Sequence, residues 1–180
     1  MFSILVGKEK LAPIPKRNEI LRSLIGGTLS ILILLMLTKL TGNLYIMAPF
    51  GATCVILYAV AQSPLAQPRN VIFGHFISAF IGLCVLKFLT DSIFFIALSV
   101  GLSIACMQLF KCVHPPAGAN PLVILLTANT MHYDWSFLIL PVLLGSIALV
   151  LVATLVNNVK SQQKWPLCGL GITNSKNKND

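Results

Sequence analysis

Six apolar runs divide the chain, at about 20–38, 44–61, 71–90, 92–110, 115–130 and 136–158. The first, third, fourth and sixth are long and mostly uninterrupted, as in Ile31–Leu37 and Leu138–Val156. At a rise of about 1.5 Å per residue, each predicts a helix able to cross a hydrocarbon layer of about 30 Å. The second and fifth differ, because each opens on proline and glycine: Ala48-Pro-Phe-Gly-Ala-Thr53 and Pro115-Pro-Ala-Gly-Ala-Asn120. Proline is favoured in a first helical turn, where its missing N–H had no intrahelical partner anyway. Helices are therefore predicted to start near Pro49 and Pro116 and to run only about 13–15 residues, short for a crossing.

The two broken segments align without a gap at an offset of 67 residues: Pro49 on Pro116, Gly51 on Gly118, Ala52 on Ala119, Thr53 on Asn120 and Ala61 on Ala128. The same offset carries 24–40 onto 91–107 and 71–90 onto 138–157. The expected fold is all-α and membrane-integral, built as two tandem repeats of long helix, Pro/Gly-broken short helix and long helix. Repeat 1 covers about 20–90 and repeat 2 about 91–158. If the short segments cross, there are six membrane segments and the repeats are inverted; if they dip and return, there are four spans plus two re-entrant helices. Connector charges favour six, with Arg69 and Lys111 inside and Asp91 and Asp134 outside. Lys39 is then an exception, and Lys87 must snorkel to the outer interface.

Composition agrees with the pattern. Of 180 residues, 56% are hydrophobic and 10% charged, with a mean hydropathy of +0.86. A soluble domain carries about 25% charged residues, so a water-soluble body, a disordered chain and a disulfide scaffold are all excluded. Thirteen Lys and Arg stand against five acids, a net charge of +8. The cations cluster beside the apolar body: Lys8, Lys10, Lys16, Arg17 and Arg22 before it, Lys160, Lys164, Lys176 and Lys178 after it. Lys and Arg resist translocation, so residues 1–19 and 159–180 read as cytoplasmic flanks of a membrane domain at 20–158. No basic segment interleaves aromatics, which argues against a nucleic-acid partner. The 160–180 tail, ending Asn-Ser-Lys-Asn-Lys-Asn-Asp, has nothing to bury and is expected to be a disordered cytoplasmic end. Met1–Gly7 is too short for a signal-peptide core, and no Arg/Ser-rich transit peptide is apparent. Five cysteines form no metal-ligand spacing and read as small hydrophobes.

Irregular backbone inside a bilayer survives only when buried in protein or lining a wet cavity. Two broken helices at corresponding positions therefore point to a substrate site, and their N-termini, with unpaired N–H groups, attract an anion. Gly51 and Gly118 are expected to let a ligand or helix approach the backbone, with Thr53 and Asn120 beside them. The acids are Glu9, Glu19, Asp91, Asp134 and Asp180, none in mid-span. Cation carriers use buried carboxylates. The interior and near-interior groups are instead Arg69, His75, Lys87, Lys111, His114, Gln62, Gln67, Asn70, Gln108, Asn120 and Asn129, which suits a small anion and neither a metal ion nor sodium. His75 would serve as a pore polar group, a proton relay or a packed core histidine. His114, before two prolines, could donate to an anion or close the turn. Arg69 and Lys111 would raise the anion concentration at the cytoplasmic mouth. His132, Tyr133 and Trp135 look like an interfacial belt. With no Gly-x-Ser-x-Gly, paired carboxylates or His-x-x-x-His, enzyme chemistry and a cofactor are not expected.

His114-Pro-Pro-Ala-Gly-Ala119, Ala48-Pro-Phe-Gly-Ala52 and Ser63-Pro-Leu-Ala-Gln-Pro-Arg-Asn70 followed by Gly74-His75 together resemble the HPP family of integral membrane proteins, over about residues 20–158. The resemblance implies the motif positions Pro49, Gly51, Pro64, Gln67, Pro68, Arg69, Asn70, Gly74, His75, His114, Pro115, Pro116 and Gly118. It also implies a transporter, since members are described as such and plastid and cyanobacterial ones are associated with nitrite. The family is usually described with four membrane helices, which fits six segments only if the short ones are counted as loops. The resulting expectation is a carrier or channel for a small monovalent anion such as nitrite, held by Pro49, Gly51, Thr53, Arg69, His75, His114, Pro115, Pro116, Gly118 and Asn120. Without a transit peptide, the expected location is a bacterial inner membrane. A structural subunit without transport activity is the competing class. A body this small leaves a homo-oligomer open.

Overall fold

The computed structural model describes residues 13–89, 92–161 and 164–168. It contains six α-helices: α1 (Arg17–Thr41), α2 (Ala48–Ala59), α3 (Pro68–Phe88), α4 (Ile93–Leu109), α5 (Asn120–Thr127) and α6 (Leu144–Asn157). No strand occurs among the described residues. The helix ends carry local signals. At the start of α1 the Glu19 carboxylate accepts from the Lys16 backbone N–H at 3.1 Å. At its end Gly42 takes a left-handed φ of 71° and returns its N–H to Thr38 O, the turn for which glycine lacks the Cβ penalty. The Ser92 hydroxyl caps α4 by accepting from Phe95 N.

Two expected helix boundaries are wrong, each for a reason visible in the backbone. The fifth run does not become α-helical at Pro116. Pro115–Ala119 is a 3₁₀ turn, and α5 starts only at Asn120. An α-helix begun at Pro116 would need residue 121 to donate to Ala117 O, but Pro121 has no N–H. Ala117 O instead accepts from Asn120 N and from the Ser78 hydroxyl. The sixth run is not continuous either. A 3₁₀ turn at Trp135–Leu138 leads into a wide turn at Ile139–Leu143, in which Leu140 is extended (φ −124°, ψ 120°). Pro141 disfavours the helical conformation for the residue before it, so α6 proper begins at Leu144.

Three helical stretches are long and apolar enough to cross a membrane: Arg17–Thr41, Pro68–Phe88 and Trp135–Asn157. Ala48–Ala59 and Ile93–Leu109 are shorter apolar helices. The 21 residues of α3 rise roughly 30 Å and measure the body from end to end. At its Pro68 end, Arg69 donates to Phe110 O beyond the end of α4. At its other end Lys87 donates to Tyr133 O at 3.0 Å and lies over the Trp135 ring. The connectors 60–67 and 128–134 thus lie at opposite ends of α3. Asn157 at the close of α6 donates to Leu57 O, and Ser23 in α1 donates to Tyr58 O. The start of α1 and the ends of α2 and α6 therefore share one end.

Small residues set how closely the helices meet, as is usual where lipid removes the hydrophobic drive between helices. Along α3, Gly74, Ser78 and Gly82 recur every fourth residue. Gly74 faces the Cβ of His114, Ser78 bonds Ala117 O, and Gly82 faces Pro121 and Ile124. Gly26 in α1 lies under the Tyr58 ring, whose hydroxyl pairs with Ser30 at 2.6 Å. Gly145 in α6 lies under Phe50. Around these contacts Phe50, Leu57, Leu83, Ile124, Val142 and Leu149 form the core.

The expectation that the C-terminal flank buries nothing is also corrected. Trp165 is buried, its ring N–H donates to Ala61 O at 3.0 Å, and the Leu167 and Cys168 backbone N–H groups donate to the Gln67 side-chain oxygen Oε1. Residues 1–12 and 169–180 lie outside the described residues.

A Cβ at Gly145 would stand 2.5 Å from Phe50 and 2.9 Å from Tyr45 O, whereas at Gly101 it would meet nothing within 4 Å. Gly145→Val should cost about 1–3 kcal/mol through overpacking, and Gly101→Val less than about 1 kcal/mol. Unfolding of both variants in detergent measures the difference.

Candidate functional site

Four polar side chains from separate elements meet in the interior. Thr53 lies on the inner face of α2 with Phe50, Cys54 and Leu57, one turn after Pro49. His75 belongs to α3, His114 to the connector after α4, and Asn120 opens α5. Thr53, His75 and His114 are 0% exposed and Asn120 is 1% exposed. Thr53 Oγ1 is 2.8 Å from His75 Nε2 and 3.0 Å from His114 Nε2. It also lies 3.2 Å from the Pro49 carbonyl. The edge of Phe50 abuts His75, with centroids 5.0 Å apart, and the two imidazoles meet edge-on at 5.1 Å.

The shortest contacts select one set of tautomers for the neutral cluster. His114 Nδ1 faces Leu65 O at 2.9 Å, and a carbonyl can only accept, so Nδ1 carries the proton. His114 Nε2 is then an acceptor and takes the Thr53 hydroxyl proton. The Asn120 amide nitrogen donates to His75 O at 3.0 Å and to His75 Nδ1 at 3.1 Å. The Asn120 side-chain oxygen lies farther from Nδ1, at 3.4 Å, so the shorter contact makes His75 Nδ1 an acceptor, and its Nε2–H donates to Thr53 Oγ1. The hydrogen bonds run in one direction, from Asn120 through His75 and Thr53 to His114 and Leu65 O.

Other expected site residues fare differently. Pro49 and Pro116 are buried beside the cluster, but Pro115 is exposed. Gly51 is exposed and Gly118 half-buried, and a Cβ at either would meet nothing within 4 Å. The close backbone approach expected at these glycines occurs instead at Gly74 and Gly82. Gly51 turns outward because Phe50, Thr53, Cys54 and Leu57 already occupy the inner face of α2. Arg69 holds connector to helix: its Nη2 donates to Phe110 O at 2.6 Å, and its buried Nε has no partner. Lys87, Lys111, Gln62, Gln108 and Asn129 are exposed rather than interior.

Sequence reading missed Phe50, Leu65 and Ser78. Ser78 carried a signal, since it lies four residues from Gly74 on the same helical face. Leu65 could not have been found, because it contributes only a carbonyl. Asn70 acts similarly to Ser78, donating to Val113 O at 2.8 Å. The motif residues Asn70 and Gly74 thus brace the segment that carries His114, while Gln67 ties Ala61 and Ser63 to the 167–168 stretch.

Thr53→Val should cost about 1–3 kcal/mol, because the His75 Nε2–H loses its buried acceptor. Thr53→Ser, which keeps the hydroxyl, should retain most of the stability. Equilibrium unfolding of the two variants checks this ordering.

No solved structure matches the chain. Two transmembrane proteins of Dictyostelium discoideum are similar to it. One is 36% identical over 169 residues, covering 89% of this chain and 59% of the relative. The other is 33% identical over 129 residues, covering 69% of this chain and 42% of the relative. The chain spans about half the length of these curated relatives. Neither comes from a bacterium, so they lend no support to the bacterial inner membrane expected above. The family profile described as HPP, transmembrane region, matches residues 12–166, which include every member of the buried cluster and its bracing residues. The chain therefore belongs to the HPP transmembrane family.

Proposed function

We propose that this membrane protein is a carrier or channel for a small monovalent anion such as nitrite, with Thr53, His75, His114 and Asn120 as its selectivity locus. The observation that carries this reading is the buried cluster itself. Four uncharged hydrogen-bonding side chains lie at 0–1% exposure in an apolar body. The only acids among the described residues, Glu19 and Asp134, are exposed. Polar groups are expensive inside a membrane and mark pathways there. Imidazole, amide and hydroxyl donors without a carboxylate repel no anion and give a cation no countercharge. The donors are already stripped of water and paired with one another, so an anion would be bound by exchange of hydrogen-bond partners. Arg69 and Lys111, at the end bearing the chain's basic flanks, would attract it to that mouth.

Six crossings in two inverted repeats complete the reading. Connectors 60–67 and 128–134 lie at opposite ends of α3, which favours crossing over re-entry. Thr53 and Asn120, equivalent at the 67-residue offset, both enter the cluster. The Ser78–Ala117 and Gly145–Phe50 contacts are also related by that offset. The basic end, carrying Arg17, Arg22 and Lys160, would face the cytoplasm. No chemistry on the solute is proposed. Thr53 donating to His114 resembles a nucleophile–base pair, but its hydroxyl is fully buried and held by His75. The mutual saturation of the cluster favours a second reading, a structural subunit whose network serves only packing.

Purified protein in liposomes should raise nitrite flux above empty vesicles, with formate and chloride as comparison ions. His75→Ala and His114→Ala should lower the flux at least about tenfold, the loss expected where a site's hydrogen bonds to its solute are removed. No flux with any of the three ions would favour the structural reading. Cysteines placed at Gln62 and Asn129 should react with impermeant reagents from opposite faces; labelling from one face would require re-entrant segments.

A further inference from the structure

We propose that the groove between α1 and α6 binds one anionic phospholipid, its headgroup on Arg22 and Lys160 and an acyl chain along the apolar wall. The groove encloses about 410 Å³. Leu21, Ile25 and Leu29, spaced four apart on α1, form one wall, and Leu155 of α6 faces them. Leu21, Leu29 and Leu155 are 53%, 39% and 73% exposed, so the wall is not closed by protein. In a protein embedded in a bilayer, an open apolar furrow between two membrane helices meets acyl chains.

Charge decides which lipid. Arg22 and Lys160 line the same furrow at the end where α1 begins and α6 stops. Neither has an acidic partner among the described residues. Basic pockets between membrane helices near the interface are suited to anionic headgroups, and a guanidinium offers a fork that matches phosphate.

The position of Lys160 has a structural cause. It lies three residues beyond the end of α6 with a left-handed φ of 47°, a conformation disfavoured for residues other than glycine that persists only where neighbours over-determine it. The neighbours do so: the Asn158 amide donates to Trp165 O at 2.6 Å and accepts from Trp165 N at 2.9 Å, while the Trp165 ring is anchored on Ala61 O. The buried tryptophan thus folds the chain back and holds Lys160 on the furrow instead of letting it continue along the helix axis. This inference needs only that the chain is embedded in a membrane, and stands apart from anion permeation.

The full chain in detergent, titrated with phosphatidylglycerol or phosphatidylcholine of the same acyl chains, tests it by native mass spectrometry and thermal shift. Phosphatidylglycerol should bind at one copy per chain, at least tenfold tighter than phosphatidylcholine. Arg22→Gln/Lys160→Gln should abolish that preference, and Leu29→Trp, which fills the furrow while keeping both charges, should weaken both lipids. Lys39→Gln, at the other end of α1, should change nothing. Inorganic phosphate alone should give no shift. Equal affinity for the two lipids, a preference that survives the double variant, a phosphate response matching the lipid's, or a dimer that buries the furrow and excludes lipid would each overturn the proposal.

Discussion

A helix broken inside a low-dielectric layer frees backbone groups that water cannot reach, and each must find a partner in the protein. Residues 110–119 carry this burden here, because Pro115, Pro116 and Pro121 deprive the segment of helical N–H donors. One helix meets the demand. Arg69, Asn70 and Ser78 of α3 donate to the carbonyls of Phe110, Val113 and Ala117 in turn. They can reach because Gly74 and Gly82 keep the helix axis close to the segment. The small residues of α3 and its donors thus work together, the first allowing the approach and the second making use of it.

His114 is carried into the interior by this bracing, and the cluster follows from that placement. Once Nδ1 is committed to Leu65 O, the other nitrogen must accept, and a hydroxyl from α2 answers it. The same hydroxyl must then accept from His75, which Asn120 holds in the opposite tautomer. Each choice constrains the next along the row of hydrogen bonds. Low dielectric strengthens every link and makes an unpaired member costly. Because α2, α3, the connector and α5 each contribute one member, a shift of any element is felt by all four.

The same reasoning separates the glycines of the family motifs. Gly74 is a contact, since anything larger would strike His114. Gly51 and Gly118 are not contacts, and nothing in the described packing requires their lack of a side chain. Elsewhere the close approaches belong to Gly26 and Gly145, which lie outside those motifs and admit the rings of Tyr58 and Phe50.

Much was legible from residue order alone. Hydropathy located six helical segments, three of them long and apolar enough to cross a membrane. Proline and glycine marked the second and fifth as broken, and Thr53, His75, His114 and Asn120 could be named as candidates because polar groups in such runs are conspicuous. The order of residues could not say which candidates meet. Periodicity places a side chain on a helical face but not opposite a particular partner, so Arg69 and Thr53 looked equally apt, although one braces a connector and the other joins two imidazoles. Nor could it reveal that Ser78, from a different helix, satisfies the Ala117 carbonyl that Pro121 leaves without a helical donor, or Leu65, whose contribution is a carbonyl common to every residue. Local sequence determined where helices can form and where they must break. Only the tertiary structure decided who satisfies the broken ends, because those partners come from residues about 40–50 positions away.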